Sequence, residues 1–174
     1  MTNAASRPGI TRRQLLSRSV AAGASFIVGT GFVAGIDGAW AMGTTHLQPR
    51  TMATLIQMAR DIYPHDQLAD EYYAIAVRGH DSAEAAPAME AGIAALDAAA
   101  QGRGAANYLD TPWERDRVDI LRGLERSIFF QTVRGGLVTG LYNQPEVWPT
   151  FGYEGESFSK GGYLARGFDE IAWL

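Results

Sequence analysis

Apolar residues recur at intervals of three and four along the middle of the chain, and no stretch of useful length alternates apolar with polar residues. Such intervals place apolar side chains on one face of an α-helix, whereas alternation is typical of a half-buried strand. The first such run has on its apolar face Met52, Leu55, Ile56, Ala59, Ile62 and Tyr63. Pro64 ends it, because proline disfavours the helical conformation in the residue before it. The sequence therefore predicts an all-α domain, a small bundle of about four to five helices.

Further helices follow from the same spacing. A second helix, from about Asp66 to Gly79, would bury Leu68, Tyr72, Ile75 and Ala76. A third, starting near Ser82, has a narrow apolar stripe formed by Met89, Ile93, Leu96 and Ala100. On the first helix, the face opposite the apolar one is assigned to Thr54, Gln57, Arg60 and Asp61.

The tetrapeptide Thr111-Pro112-Trp113-Glu114 is typical of a helix start. Thr can cap the helix, Pro fits its first position, and Glu three residues after the Thr completes a capping box. The apolar face of this helix would contain Trp113, Ile120, Leu121, Leu124 and Ile128. Beyond Ser127 the apolar face moves about half a turn to Phe130, Val133, Leu137 and Leu141. Either the helix breaks near Ser127, or its second half is buried on a different side. The glycines of this second half, at 135, 136 and 140, would let another backbone come close.

The first 41 residues have the layout of an export signal: a basic head, an apolar middle and a small-x-small cleavage site. The head matches the bacterial twin-arginine pattern through Arg12, Arg13, Leu15 and Leu16. The apolar run at 20–36 is rich in glycine and alanine and falls short of the roughly 20 apolar residues of a spanning helix. Ala39 and Ala41 occupy the two positions where a signal peptidase needs small side chains. We expect export by the Tat translocase, cleavage after residue 41, and a periplasmic mature chain with no stable membrane span.

Composition narrows the classes of function. The chain has no cysteine, which excludes disulfides, cysteine zinc sites, iron–sulfur clusters and haem attached through cysteines. The whole chain has a formal charge of −4, and the leader contributes four arginines and one aspartate, so the mature chain has −7. A chain this acidic is a poor candidate for binding nucleic acid.

The histidines and carboxylates form no recognisable catalytic or metal-binding pattern. His46, His65 and His80 lack the i, i+4 spacing that puts two ligands on one helix face. The acidic stretch that includes Asp61 and Glu71 lacks the loop pattern of a calcium site, and a solvated face is the simpler interpretation. We therefore expect no catalytic residue, metal ligand or cofactor in this chain.

Residues 144–174 differ in character from the predicted helical domain at 42–143. Their glycines and prolines are too dense for regular structure, so we expect an irregular tail, yet aromatic residues are frequent. Such a tail either folds back over its own bundle or lies along a partner, since aromatic residues are enriched at interface centres. The residues expected to bind a partner are Trp148, Phe151, Tyr153, Tyr163, Phe168 and Trp173.

Several motifs together carry a family resemblance. They are Asp61-Ile62-Tyr63-Pro64, Phe129-Phe130-x-x-Val133-Arg134-x-Gly136, Gly140-x-Tyr142-Asn143, Trp148 and Gly152-Tyr153-x-Gly155. With the twin-arginine leader, they make the chain similar to the small third subunit of gluconate 2-dehydrogenase and its relatives. These motifs extend over nearly the whole mature chain, although relatives usually have a longer segment where this chain has residues 66–84.

The resemblance implies a non-catalytic subunit of a periplasmic, GMC-type sugar or alcohol dehydrogenase. In that family the large subunit holds the FAD, and a separate cytochrome c often takes the electrons. The small subunit would then escort a signal-less flavoprotein through the Tat pathway and stabilise it. Two other interpretations remain open: a stand-alone periplasmic binding or scaffolding protein, and an enzyme with an unrecognised site.

Overall fold

The computed structural model describes residues 43–164, which form five α-helices. The helices are α1 Pro49–Ile62, α2 Asp70–Val77, α3 Ala86–Gln101, α4 Glu114–Leu124 and α5 Ile128–Tyr142. Short 3₁₀ turns occur at Arg78–His80, Trp148–Phe151 and Phe158–Lys160. No strand occurs in the part of the chain that the structure describes, so the predicted all-α class is confirmed. None of these helices has the length and apolar character needed to cross a bilayer.

Several predicted residues lie outside the described range. These are the signal residues Arg12, Arg13, Leu15 and Leu16, the cleavage-site residues Ala39 and Ala41, and the tail residues Phe168 and Trp173.

Helix α1 is the centre of the bundle, because it packs against each of the other four helices. Pro49 lies in its first turn, where the fixed φ of proline suits a helix start. Its buried apolar residues include Met52, Leu55, Met58 and Ala59. The helix ends at Ile62, two residues before Pro64, as the sequence predicts.

Helices α3 and α5 bury the faces that their spacing indicates. On α3 these are Met89, Ile93, Leu96 and Ala100, and on α5 they are Phe130, Val133, Leu137 and Leu141. A break separates α4 from α5, and the Ser127 hydroxyl caps α5 by accepting a hydrogen bond from the Phe130 amide at 3.1 Å. The chain therefore changes direction where the apolar face shifts, which settles the two alternatives left by the sequence.

The predicted capping box at the start of α4 is wrong. The Thr111 hydroxyl donates a hydrogen bond to the Asn107 carbonyl at 3.1 Å, and the helix begins at Glu114 without a side-chain cap. Trp113 is 64% exposed and Ile128 is 86% exposed, so neither belongs to the apolar face of α4. The turn that ends at Thr111 offers the hydroxyl a closer acceptor, which is the usual way that local hydrogen bonds compete with a helix cap.

The predicted face of α2 is also wrong in part. The helix begins at Asp70, and its buried residues are Tyr73, Ala74 and Val77, while Ile75 is exposed. Leu68 is buried as predicted, but it precedes the helix. Because Leu68 lies before the first residue of the helix, helical spacing counted from Leu68 predicts the wrong buried face for α2.

Two carboxylates bind the residues just before α1 and in its first turn. Asp81 accepts hydrogen bonds from the backbone amides of Thr45, His46 and Leu47, with distances of 2.7–2.8 Å. These bonds lower the pKa of Asp81 below its ordinary value, since they favour the charged form. The Glu90 carboxylate accepts hydrogen bonds from the backbone amide of Gln48 at 2.8 Å and from the Thr51 hydroxyl at 2.6 Å. The start of the described chain is thereby fixed to α3 and to the loop before it.

Helix α5 lies close to the backbone of α2 at Gly140. A Cβ atom at Gly140 would lie 2.8 Å from the carbonyl oxygen of Ala76 and 3.1 Å from its Cα. The expectation that small residues admit another backbone thus holds at Gly140. At Gly136 the neighbour is the ring of His80, at 3.5 Å, and at Gly135 no atom lies within 4 Å.

Gly140→Ala is expected to lower the free energy of unfolding by about 1–3 kcal/mol, because the obstructing atoms belong to backbone and the two helices must move apart. The matched control is Gly135→Ala on the same helix, which should raise stability by about 0.5–1 kcal/mol through helix propensity alone. Urea denaturation followed by circular dichroism measures both. Equal effects of the two substitutions would contradict the close α2–α5 crossing.

Candidate functional site

The first part of the tail belongs to the core of the bundle. Val147 has no exposed surface, and the Gln144 side chain donates hydrogen bonds to the carbonyls of Tyr72, at 2.9 Å, and Gly140, at 2.7 Å. The Gln144 side chain thereby ties the chain after α5 to α2. The last α-helix ends at Tyr142, but the packed core continues beyond it to Val147.

Trp148 is held by its own bundle. Its indole N–H donates to the carbonyl of Tyr142 at 2.8 Å, and its ring meets Tyr153 edge to face with centroids 5.2 Å apart. The backbone of Gly155 lies against the same ring, since a Cβ there would be 3.2 Å from it. Trp148 thus anchors residues 148–155 internally and leaves Tyr153 half exposed.

A cluster of rings, which we call the aromatic hub, joins the tail to the end of α5. It consists of Tyr63, His65, Tyr142 and Phe151. Phe151 contacts His65 and Tyr142 with centroids 4.9 Å and 5.5 Å apart, and Tyr142 contacts Tyr63 at 5.8 Å. All three pairs have the edge-to-face geometry that aromatic rings prefer. Phe151 covers one side of the hub and keeps 44% of its own surface exposed.

Hydrogen bonds fix the polar atoms of the aromatic hub. His65 Nε2 and the Tyr142 hydroxyl are 2.7 Å apart, and burial raises the pKa of Tyr142, so its hydroxyl keeps its proton at neutral pH. The Tyr73 hydroxyl donates to the carbonyl of Tyr63 at 2.7 Å and accepts from the amide of His65 at 3.1 Å. The polar groups of the hub are therefore paired within the bundle, and Phe151 of the tail packs against its rings.

Beyond Gly155 the tail presents apolar side chains to solvent. Phe158 and Leu164 are each 93% exposed and Tyr163 is 66% exposed, although the local backbone is ordered by a hydrogen bond from the Ser159 amide to Glu156 at 2.9 Å. This bond lowers the pKa of Glu156. An aromatic side chain removes about 150–250 Å² from water when it is buried. Several exposed apolar residues in one short segment are typical of a surface that contacts another protein.

The six residues predicted to bind a partner fall into three groups. Trp148 is occupied within the bundle, whereas Phe151, Tyr153 and Tyr163 present large surfaces to solvent, and Phe168 and Trp173 are beyond residue 164. The structure adds Phe158 and Leu164 to the exposed set. The part of the tail up to Gly155 packs on the bundle, whereas the described residues beyond it are uncovered. Contact of this second part with a partner stays a prediction.

The sequence interpretation missed a buried ion pair. Asp61, which the sequence pattern places on the outward face of α1, accepts hydrogen bonds from Arg117 Nε at 2.7 Å and from Arg117 Nη2 at 3.0 Å. The Tyr108 hydroxyl donates to the same carboxylate at 2.6 Å, and the Gln57 amide donates to it at 3.2 Å. Thr54, Met58 and Asp61 share a second buried face of α1. Because two of these three residues are polar, their spacing alone does not indicate burial.

The electrostatics of this ion pair indicate a structural role. Burial raises the pKa of Tyr108, and the neighbouring carboxylate of Asp61 raises it further. Burial alone would lower the pKa of Arg117, but the hydrogen bonds and charge of Asp61 raise it. Because Asp61 already accepts four hydrogen bonds, little of its capacity remains for the proton of a substrate.

The histidines do not converge in the structure. His65 belongs to the aromatic hub, and the ring of His80 lies against α5, where burial lowers the pKa of His80. Within residues 43–164, no three histidine, aspartate or glutamate side chains are grouped as a metal site would require.

Comparison of the chain with protein-family models, curated proteins and solved structures gives no match.

Proposed function

We propose that this chain is the non-catalytic small subunit of a periplasmic, GMC-type flavin-dependent sugar or alcohol dehydrogenase. In this proposal the chain binds an FAD-containing catalytic subunit that lacks its own signal and carries it through the Tat pathway. The observation that carries the proposal concerns residues 156–164, which we call the outer tail. Their Phe158, Tyr163 and Leu164 are exposed, and they follow the segment that Trp148 anchors to the bundle.

The anchoring supports binding of a folded partner. The aromatic hub and Trp148 fix the tail up to Gly155, so the exposed residues that follow start from a defined position. A segment held in this way loses less conformational entropy on binding than a free tail would. Trp, Tyr and Phe are also the residues that dominate the centres of protein interfaces.

The predicted leader supports the escort role. The twin-arginine route carries chains that are already folded, which allows a second folded chain to travel with the first. A flavoprotein must fold around its FAD before export, so a partner without a signal would need such a carrier. FAD is therefore assigned to the partner, and this chain is proposed to contribute binding and export.

The proposal is tested by affinity purification of the tagged mature chain from the periplasm of its native host. We expect a larger protein to co-elute together with the absorbance spectrum of an oxidised flavin. A chain truncated after Gly155 should lose that spectrum, because it lacks every exposed apolar residue of the outer tail.

Circular dichroism provides the control for this test. The truncated chain retains Gln144, Val147 and Trp148, so its helical signal and its unfolding transition should match those of the intact chain. If the truncated chain folds normally and still recovers the flavoprotein, the outer tail is not the binding surface. A flavin bound to the isolated small chain would contradict the assignment of FAD to the partner.

A further inference from the structure

His80 is a half-buried titratable side chain whose ring edge faces helix α5. It lies in the 3₁₀ turn Arg78–His80, which directly follows α2. A Cβ atom at Gly136 would be 3.5 Å from His80 Nε2 and 3.7 Å from His80 Cε1, so this edge of the imidazole packs against the backbone of α5. Within residues 43–164 the imidazole has no hydrogen-bond or ion-pair partner. A positive charge on this ring would therefore be left uncompensated.

Packing against α5 disfavours the protonated form of His80. Removing a charged group from water is unfavourable unless a hydrogen bond or an opposite charge replaces its solvation. The carbonyl of Gly136 already accepts a hydrogen bond from the Thr139 hydroxyl at 3.3 Å. Burial accordingly lowers the pKa of His80 below its ordinary value of 6.5. The neutral ring therefore favours contact with α5, and the charged ring favours contact with water.

The charged groups of the neighbouring elements do not offset this effect. On α5 the charged residue is Arg134, which is two positions before Gly136 and so about 200° round the helix from it. The carboxylate of Asp81, next to His80 in the chain, is occupied by three backbone amides. The pKa shift of His80 is caused by burial and not by these groups. The other titratable groups of α2, α5 and the turn are Asp70, Glu71, Tyr72, Tyr73, Arg78 and Tyr142.

The turn that contains His80 also holds the residues that precede α1. Asp81 directly follows His80, and its backbone amide donates a hydrogen bond to the carbonyl of Arg78 at 3.0 Å. The Asp81 carboxylate accepts hydrogen bonds from the amides of residues 45–47. A displacement of His80 from α5 therefore moves the acceptor of these three hydrogen bonds.

The segment before α1 has little buried surface of its own. Of residues 43–48, Leu47 is the buried one. The centre of the core consists of side chains on α1, α3 and α5, such as Leu55, Leu96 and Leu141, which have no exposed surface. Regions with few buried apolar contacts open at a lower free-energy cost than the whole domain. Residues 43–48 can therefore separate from the bundle while the helices stay folded.

We propose that His80 makes the turn at residues 78–81 an acid-sensitive latch. With a neutral imidazole the turn stays against α5 and holds residues 45–47. When the imidazole takes up a proton, the turn leaves α5 and the segment at 43–48 separates from the bundle. This inference concerns the chain itself and does not depend on the proposed partner.

The pH window of the latch follows from the direction of the pKa shift. Above the ordinary pKa of 6.5 the ring is neutral in both states, and the closed state is favoured. Below it the open state binds more protons, because its imidazole is in water, so the equilibrium constant for opening rises by up to about tenfold per pH unit. The rise ends at the lowered pKa of the closed state. Asp81 stays charged over this window, since its hydrogen bonds to the backbone lower its pKa.

The test measures hydrogen exchange of backbone amides by NMR in the purified protein, from about pH 7.5 to about pH 5, a range that includes the ordinary pKa of histidine. After correction for intrinsic exchange, protection of the amides at 45–47 should fall by up to about tenfold per pH unit, while the Leu96 amide keeps its protection. His80→Phe leaves an uncharged ring against α5 and should abolish the loss at 45–47. The matched control is His46→Phe, which replaces an exposed histidine beside the same hydrogen bonds and should retain the loss.

Three results would overturn the latch. Parallel loss of protection at Leu96 would show that acid destabilises the whole domain. An equal decline at residues 45–47 in the wild type and in His80→Phe would assign the effect to another group. The third result needs only the wild-type chain, and so remains decisive if His80→Phe does not fold: an imidazole of His80 that titrates at about pH 6.5 or above would contradict the proposal.

Discussion

Asp61→Ala is expected to lower the free energy of unfolding by about 3–5 kcal/mol, since it leaves a buried charge without its partner. The Arg117 side chain is 14% exposed and would lose two of its hydrogen bonds, and the Tyr108 hydroxyl would lose its acceptor in a fully buried position. Typical domains are stable by about 5–15 kcal/mol, so this single change removes a large share of the total. Thermal unfolding of the mature chain should shift down by roughly 10–20 °C.

Two further variants make this experiment specific. Asp119→Ala removes a carboxylate from an exposed ion pair with Arg122 on α4, and should cost less than about 1 kcal/mol. Combining Asp61→Ala with Arg117→Met should recover part of the lost stability, because the double variant buries no unpaired charge. If Asp61→Ala were no more damaging than Asp119→Ala, the buried pair would not contribute as its geometry indicates.

The sequence predicts much of the fold because most helices bury a single face. Met89, Ile93, Leu96 and Ala100 repeat at helical intervals, and the structure buries all four. The shift of the apolar face at Ser127 likewise indicates the break between α4 and α5. In each case a local pattern is sufficient, since the packing partner need only be apolar.

Helix α1 shows where this reasoning fails. It contacts four helices, so its second face is also buried, and a pattern that assumes one solvated side assigns Asp61 outward. The partner of Asp61 is 56 residues away at Arg117, and no local spacing connects the two. A buried polar residue needs a hydrogen-bond partner, and that partner can come from a distant part of the chain. The pattern of a single helix contains no information about such a partner.

The tail shows the same limitation in a different form. Its aromatic residues indicate contact with something, but their number does not distinguish the bundle from a partner. The structure separates them through particular contacts: Trp148 donates to the carbonyl of Tyr142, while Phe158 is almost fully exposed. Ile128 shows the same limitation, because its spacing places it on the apolar face of α4, whereas it begins α5 and is exposed.

Replacing Arg12 and Arg13 by lysine is expected to abolish export of both this chain and the flavoprotein. The two lysines keep the positive charge, so any loss must come from recognition of the planar guanidinium groups by the Tat translocase. In the proposed complex the flavoprotein has no signal of its own, and it should therefore remain in the cytoplasm with its carrier. Fractionation of cells, with immunoblots of both chains, measures the distribution.

The same leader provides the matched control. Arg7→Lys with Arg18→Lys changes two arginines outside the adjacent pair and should leave export of both chains intact. Periplasmic flavoprotein in the Arg12→Lys, Arg13→Lys strain would contradict the escort role, because the flavoprotein would then have its own route.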